Sequence, residues 1–192
     1  MRIVTLIFAL ALFCSTAQAE STTFQQHEVD IYSALINHGL GTRVPIVVLS
    51  EQTTGDPAAI AEHEDTAALV NELGAPATAL RSWQRRNDSR HAIESPLKLD
   101  VSYQMLDAEM RAELFDGVEP AAGWGRFFAH FEGAPGLLRV SRAGFDDVLK
   151  HALVYAEFQC GINCGSGRLI HLINDTGKTW QVSNAAVVWM VE

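Results

Sequence analysis

Two cysteines, three glycines and a serine fall within eight residues near the C-terminus, in the run Cys160-Gly161-Ile162-Asn163-Cys164-Gly165-Ser166-Gly167. Three chemistries compete for the cysteines. A redox dithiol usually spaces its thiols by two residues and seats the first at a helix N-terminus, which stabilises the thiolate. Here three residues intervene and the flanking sequence is strand-forming. Zinc requires four ligands. Only His151 and His171 lie nearby in sequence, and neither falls on the cysteine side of the strands derived below. A structural disulfide asks for nothing more than proximity and an oxidising compartment, and this is the reading adopted for Cys160 and Cys164. Ser166 is the only candidate nucleophile at the tip. Gly165-Ser166-Gly167 lacks the Gly-x-Ser-x-Gly form of a strained nucleophile turn. The tip amides could still converge as an anion nest, with His130, His151 or His171 as base. An envelope hydrolase using Ser166 or a tip-proximal histidine is therefore the alternative to a non-catalytic tip.

Other groups are weaker. Glu62, His63, Glu64 and Asp65, with Asp56 upstream, are neighbours in sequence that point in different directions on a helix. No His-Glu-x-x-His spacing brings two ligands onto one face. They read as a solvated acidic turn, and no metal or other cofactor is expected. Trp124, Phe127, Phe128 and Phe131 recur at spacings of three and four, as helix-to-sheet packing requires.

The elements that must position the tip are two strands. If Cys160 faces Cys164, Val154 stands opposite Ile170 and Ala152 opposite Leu172, with Ala156 and Phe158 on the same side, so the cysteine face is apolar throughout. A slip of one residue would put Glu157 and Gln159 there, so the cysteine pair and the dry face select one register. His171 then lies beside Leu153 on the other face. A second hairpin turning at Asn174-Asp175-Thr176-Gly177-Lys178 places Trp180 opposite Leu172 and Val182 opposite Ile170. So small a covalent ring should stabilise by only about 2 kcal/mol; its main effect is on the shape of the tip.

Together with Ser141-Arg142-Ala143-Gly144-Phe145, Ala152-Leu153-Val154-Tyr155, Gly177-Lys178-Thr179-Trp180 and Trp189, the Cys-Gly-x-x-Cys-Gly-x-Gly pattern resembles a family of uncharacterised small exported bacterial proteins. The likeness covers roughly the last 55 residues well and is fainter at Ile31-Tyr32-Ser33 and over 47–54. Aromatic residues commonly follow the last glycine in that family, whereas Arg168 and Leu169 stand here. The resemblance implies no activity, substrate or cofactor.

Residues 1–19 read as an export signal: Arg2, an apolar stretch from Ile3 to Phe13, and Ala17-Gln18-Ala19 before cleavage at Ala19/Glu20. Bulky Phe13 before Cys14 argues against lipid modification there. No later stretch approaches the ~20 apolar residues of a membrane span. Residues 20–192 then form one globular domain, with 20–26 a mobile leader, in the periplasm or secreted. The formal charge of −9 becomes about −10 once Arg2 is lost. That charge excludes nucleic acid and anionic lipid as natural partners. Arg81, Arg85, Arg86 and Arg90 are scattered among acids.

Helical periodicity runs from Val29 to Leu40 and from Pro76 to Arg86. Asp107 caps a helix over 108–115, and the aromatic helix around Trp124 ends at Gly133-Ala134-Pro135. Val44 to Leu49 reads as a short apolar strand, with Pro45 marking either an edge or a first position where no amide is required, and Leu97 to Met105 alternates as a half-buried strand. Further strands follow at 137–141, 152–160, 168–173 and 180–191. Residues 51–74 show no clean periodicity. Helices early and strands late predict an α+β domain whose antiparallel sheet of about four strands is covered by helices on one face. The functional expectation is a non-enzymatic binding domain for a protein or small-molecule partner. Its presented surface would be the tip, Gly161, Ile162, Asn163, Gly165, Ser166 and Gly167, together with the neighbouring loops.

Overall fold

The computed structural model describes residues 24–39, 43–55, 66–93 and 96–191. The export signal, its cleavage site, residues 20–23 and the acidic run from Asp56 to Asp65 lie outside the described residues. Helix α1 spans 24–39. It is followed by strand β1 (Ile46–Ser50), helices α2 (Thr66–Glu72) and α3 (Ala77–Arg86), and strand β2 (Ser102–Leu106). Next come helices α4 (Ala108–Phe115) and α5 (Pro120–His130), then β3 (Leu137–Val140), β4 (Gly144–Phe145), β5 (His151–Gly161), β6 (Cys164–Ile173) and β7 (Gln181–Val191). Phe24, Gln25 and Gln26, expected in a mobile leader, belong to α1.

The fold is α+β, but its sheet is neither small nor purely antiparallel. Seven strands run in the order β2-β1-β3-β5-β6-β7, with β4 also paired to β5. β1 is parallel to both β2 and β3, and the remaining pairs are antiparallel. Of the two readings of Pro45 the first-position one holds: it precedes the ladder's first residue, so its missing amide interrupts nothing, and β1 lies inside the sheet rather than at its edge. The alternation over 97–105 continues past the residues that pair. Only Ser102–Leu106 joins the sheet, while the Leu97 amide donates to the Tyr103 hydroxyl (3.0 Å) and the Lys98 amide to Ser33 Oγ (3.0 Å). Those bonds satisfy an apolar stretch without strand partners.

Helices cover both faces, which corrects the one-face expectation. Ile31, Tyr32, Leu35 and Ile36 of α1 pack with Val47, Leu49, Leu138, Val140, Val154 and Ile170. On the opposite face, α2 and α3 bury Val70, Leu80 and Trp83 against Leu153, Tyr155 and Leu169. Beyond them on that face, Leu114 of α4 and Phe127 of α5 bury Val48, Leu106 and Leu137. The β1–β2 link contributes to both faces, with α2–α3 on one and Leu97, Leu99 and Val101 on the other.

Local rules explain the helix ends. Asp107 Oδ1 accepts the Met110 amide at 2.7 Å as the α4 cap. Pro120 occupies the first turn of α5, where no amide partner is needed. Helix α1 is clamped by Glu28. Its carboxylate accepts from Arg142 Nε (3.1 Å), Arg142 Nη2 (3.0 Å) and the Ala143 amide (3.0 Å), and pairs with Arg86 Nη2 at 3.1 Å.

The first hairpin follows the predicted register, with Val154 opposite Ile170 and Ala152 opposite Leu172. An irregularity between Gln159 and Gly161 pairs Cys164 with Gly161, so the cysteines are offset by one position. They remain within bridging reach, Cα to Cα 5.0 Å, and are joined as a disulfide. Gly161 takes φ 153°, a conformation that a β-carbon disfavours. The second hairpin departs further. Val182 faces Leu172, Ala185 faces Ile170, and register shifts follow at His171/Leu172 and Gly167/Arg168. Trp180 sits outside the ladder, buried against Phe145, with Nε1 donating to His27 Nδ1 at 3.2 Å. Anchoring that indole widens the turn and displaces the ladder.

Candidate functional site

Direct partners in a sheet project their side chains from the same face. Ser50 is opposite Leu106, Arg139 opposite Glu157, Glu157 opposite Gly167, and Gly167 opposite Trp189. Ser50 follows Leu49, the partner of Leu138, and so stands beside Arg139. One transverse row therefore crosses most of the sheet and carries Ser50, Arg139 and Glu157 on the face that α2–α5 cover. On one side of this row lies the apolar cluster under α2 and α3. On the other lies the cluster under α4 and α5. The polar row is left as the floor between two helix pairs.

A cavity of about 270 Å³ opens there. Its floor is Ser50, Leu137, Arg139 and Gln159, and its walls are Arg111 and Phe115 of α4, Trp124 of α5, and Gln52 and Arg90 from loops. A second hollow of about 310 Å³ continues towards the disulfide tip and is lined by Gly161, Ile162, Gly165 and Trp189. Trp124 and Gln159 line both hollows, which makes them two ends of one cleft.

Glu157 is buried beside Arg139 and Gln159, and its Oε1 accepts from Gln159 Nε2 (2.5 Å) and from Arg139 Nη1 (3.4 Å). Trp189 Nε1 donates to the Tyr155 hydroxyl at 2.6 Å. Burial, opposed by that hydrogen bond, pushes the Tyr155 phenol up to about 12, so it stays neutral as an acceptor. The indole of Trp189 lies over Gly165 and Gly167; a β-carbon on Gly165 would meet its ring at 3.2 Å. The glycines of the tip thus serve to seat Trp189, as well as to turn the chain.

No family model, curated protein or solved structure matches this chain. Its chemistry must be read from its own side chains.

The residues singled out at the tip have divided fates. Asn163 faces solvent, Gly161, Gly165 and the largely exposed Ile162 (58%) line the cleft, and Gly167 is buried under Trp189. Ser166 emerges on the opposite face. There it lines a separate hollow of about 300 Å³ with His38 and apolar neighbours such as Leu35 and Phe158. Among the described residues no hydrogen bond joins Ser166 to a histidine. His130 ends α5 and rests its ring on Phe131. His151 and His171 sit at the far end of the β5–β6 hairpin from the disulfide. Their rings stack, with His151 Nδ1 3.0 Å from His171 Nε2 and His171 Nδ1 3.0 Å from the Leu73 carbonyl. A carbonyl only accepts, so Nδ1 of His171 carries its proton and Nε2 accepts from His151. Among the described residues no group of three or more His, Cys, Asp or Glu could hold a metal ion, and no helix is long and apolar enough to cross a membrane.

Sequence reasoning missed the arginines and Ser50. Two signals could have found the floor. Arg139 is the one charge in Leu137-Leu138-Arg139-Val140, and Glu157 is the one charge after the histidine in His151–Gly161. A single charge in an otherwise buried strand asks for a partner or a ligand.

Proposed function

We propose that this chain is an exported, periplasmic or secreted, non-enzymatic binding protein, and that its binding surface is the cleft running from the disulfide tip to the cavity at the ends of β1 and β2. The observation that carries the reading is the transverse row: Ser50, Arg139 and Glu157 in register between two apolar clusters on one sheet face, with hollows beside it lined by Trp124 and Trp189 and open between two helix pairs. Concave sites with aromatic walls and a few fixed polar groups are where small ligands and short chains are held. The disulfide supports this role by fixing the end of the hairpin that seats Trp189. Export rests on the signal-like residues 1–19 and on the cysteine pair, which persists in oxidising compartments.

The four tryptophans supply the test. Trp124 and Trp189 line the cleft, whereas Trp83 and Trp180 are buried elsewhere. When fractions of a soluble envelope extract are added to ¹⁵N-labelled protein, at least one fraction should shift the indole signals of Trp124 and Trp189 and leave those of Trp83 and Trp180 in place. If no fraction does so, or if all four signals move together, the cleft is not the binding surface.

A further inference from the structure

We infer that the β1–β2 end of the cleft is an anion site, which takes the carboxylate or phosphate group of the bound ligand between Arg90, Arg111 and Arg139. This rests on the cleft reading above and names the chemistry of its ligand. The position is favourable on topological grounds. β1 is parallel to a neighbour on each side, and the chain leaves β1 for β2 and then crosses back to β3 on the other side. The crevice beyond the carboxyl ends of such parallel strands, at the point where the connections diverge, is where open sheets hold ligands.

Charge points the same way. The chain has 23 acidic residues against 14 basic ones, yet three arginines and one carboxylate line this cavity. That carboxylate, Asp107, is engaged by the Met110 amide as a helix cap. The arginines retain donors to offer. Arg90 makes no ion pair among the described residues. Among the described residues Arg111 pairs only with Asp116, at 3.8 Å, with both side chains mostly exposed (60% and 67%), a pairing that water and salt weaken. Arg139 is tethered through one nitrogen to Glu157, which fixes the guanidinium on the floor and leaves most of its five donors uncommitted. Guanidinium forks match the planar geometry of carboxylate and phosphate oxygens.

The test is a titration of the full chain with inorganic phosphate and, separately, with succinate, against sodium chloride at matched ionic strength, observed on arginine Nε–H and tryptophan indole signals. We expect saturable shifts at Trp124 and at the three arginines with at least one of the two anions, beyond the chloride drift, while Trp83 and Trp180 stay still. The stronger of the two anions identifies the group. The double variant Arg90→Ala/Arg111→Ala removes exposed side chains that anchor no core, and it should raise the dissociation constant at least tenfold with the amide spectrum otherwise intact. Linear, unsaturable shifts equal to those with chloride overturn the inference, as does unchanged binding in the double variant. If both anions fail while an extract fraction still moves Trp124 and Trp189, the anion site falls and the cleft stands. If neither response appears, both fall.

Discussion

His171 shows how one buried ring can tie stability to pH. It is packed at 3% exposure between Leu73 and His151. Burial lowers its pKa from the ordinary 6.5, the neighbouring His151 lowers it further, and the Leu73 carbonyl opposes. The folded state therefore binds fewer protons than the unfolded chain in the window just below 6.5, and stability must rise with pH across that window. Urea midpoints measured between pH 5 and 8 should be flat above about 7, near complete deprotonation of an ordinary histidine, and fall as the solution is acidified through the window. The fall should shrink in His171→Asn. A midpoint that rises on acidification would contradict the proton arrangement described for the pair. The sequence placed His171 beside Leu153 correctly, because strand parity alone decides that. It could not show the ring of His151 stacked on it, since that depends on the side-chain directions of two paired strands and on Leu73, about a hundred residues away in sequence.

At the scale of elements, α1 is held by a charge as well as by its apolar side. The Glu28 carboxylate, 10% exposed, faces Arg86 and Arg142 at 18% and 19% exposure and also accepts the Ala143 amide. Removing one member of a buried ion pair leaves the other charged and uncompensated, a loss of about 3–5 kcal/mol. Glu28→Gln should lower unfolding free energy by an amount near the bottom of that range, because the amide can still accept one of the bonds. A loss under about 1 kcal/mol, within the range of exposed pairs, would mean the clamp is incidental. The elements themselves were legible where local chemistry decides them. Asp107 caps α4, α3 follows Pro76, and the β5–β6 register follows from the cysteine pair and the dry face. Where a distant partner decides, the reading failed. β1 lies inside the sheet because β2 and β3 flank it, and no feature of Val44 to Leu49 reveals those neighbours. The β6–β7 register moved because Trp180 docks on Phe145 and His27, which a tight-turn assumption cannot foresee.

For the whole molecule, the decisive fact is that two helix pairs share one face of the sheet without closing over its middle. A one-face, four-strand picture has no room for such a gap. It centred the presented surface on the tip and its neighbouring loops, and it left Arg90, Arg111, Arg139, Ser50 and Trp124 unconnected because they come from β1, β3, α4, α5 and a loop. The tip forms one end of the cleft, through Gly161, Gly165 and the seat of Trp189. Ser166 points to the other face, so an account of the tip built on that hydroxyl and one built on the cleft make different claims about the same hairpin. The most direct measurement needs no ligand. Paramagnetic relaxation of the four indole N–H signals by soluble gadolinium chelates of opposite charge reports both access and the sign of the local field. The account requires that Trp124 and Trp189 broaden while Trp83 and Trp180 do not, and that the anionic chelate acts on Trp124 more strongly than the cationic one. Protection of Trp124 equal to that of Trp83, or a stronger effect from the cation, would contradict an open, arginine-lined cleft.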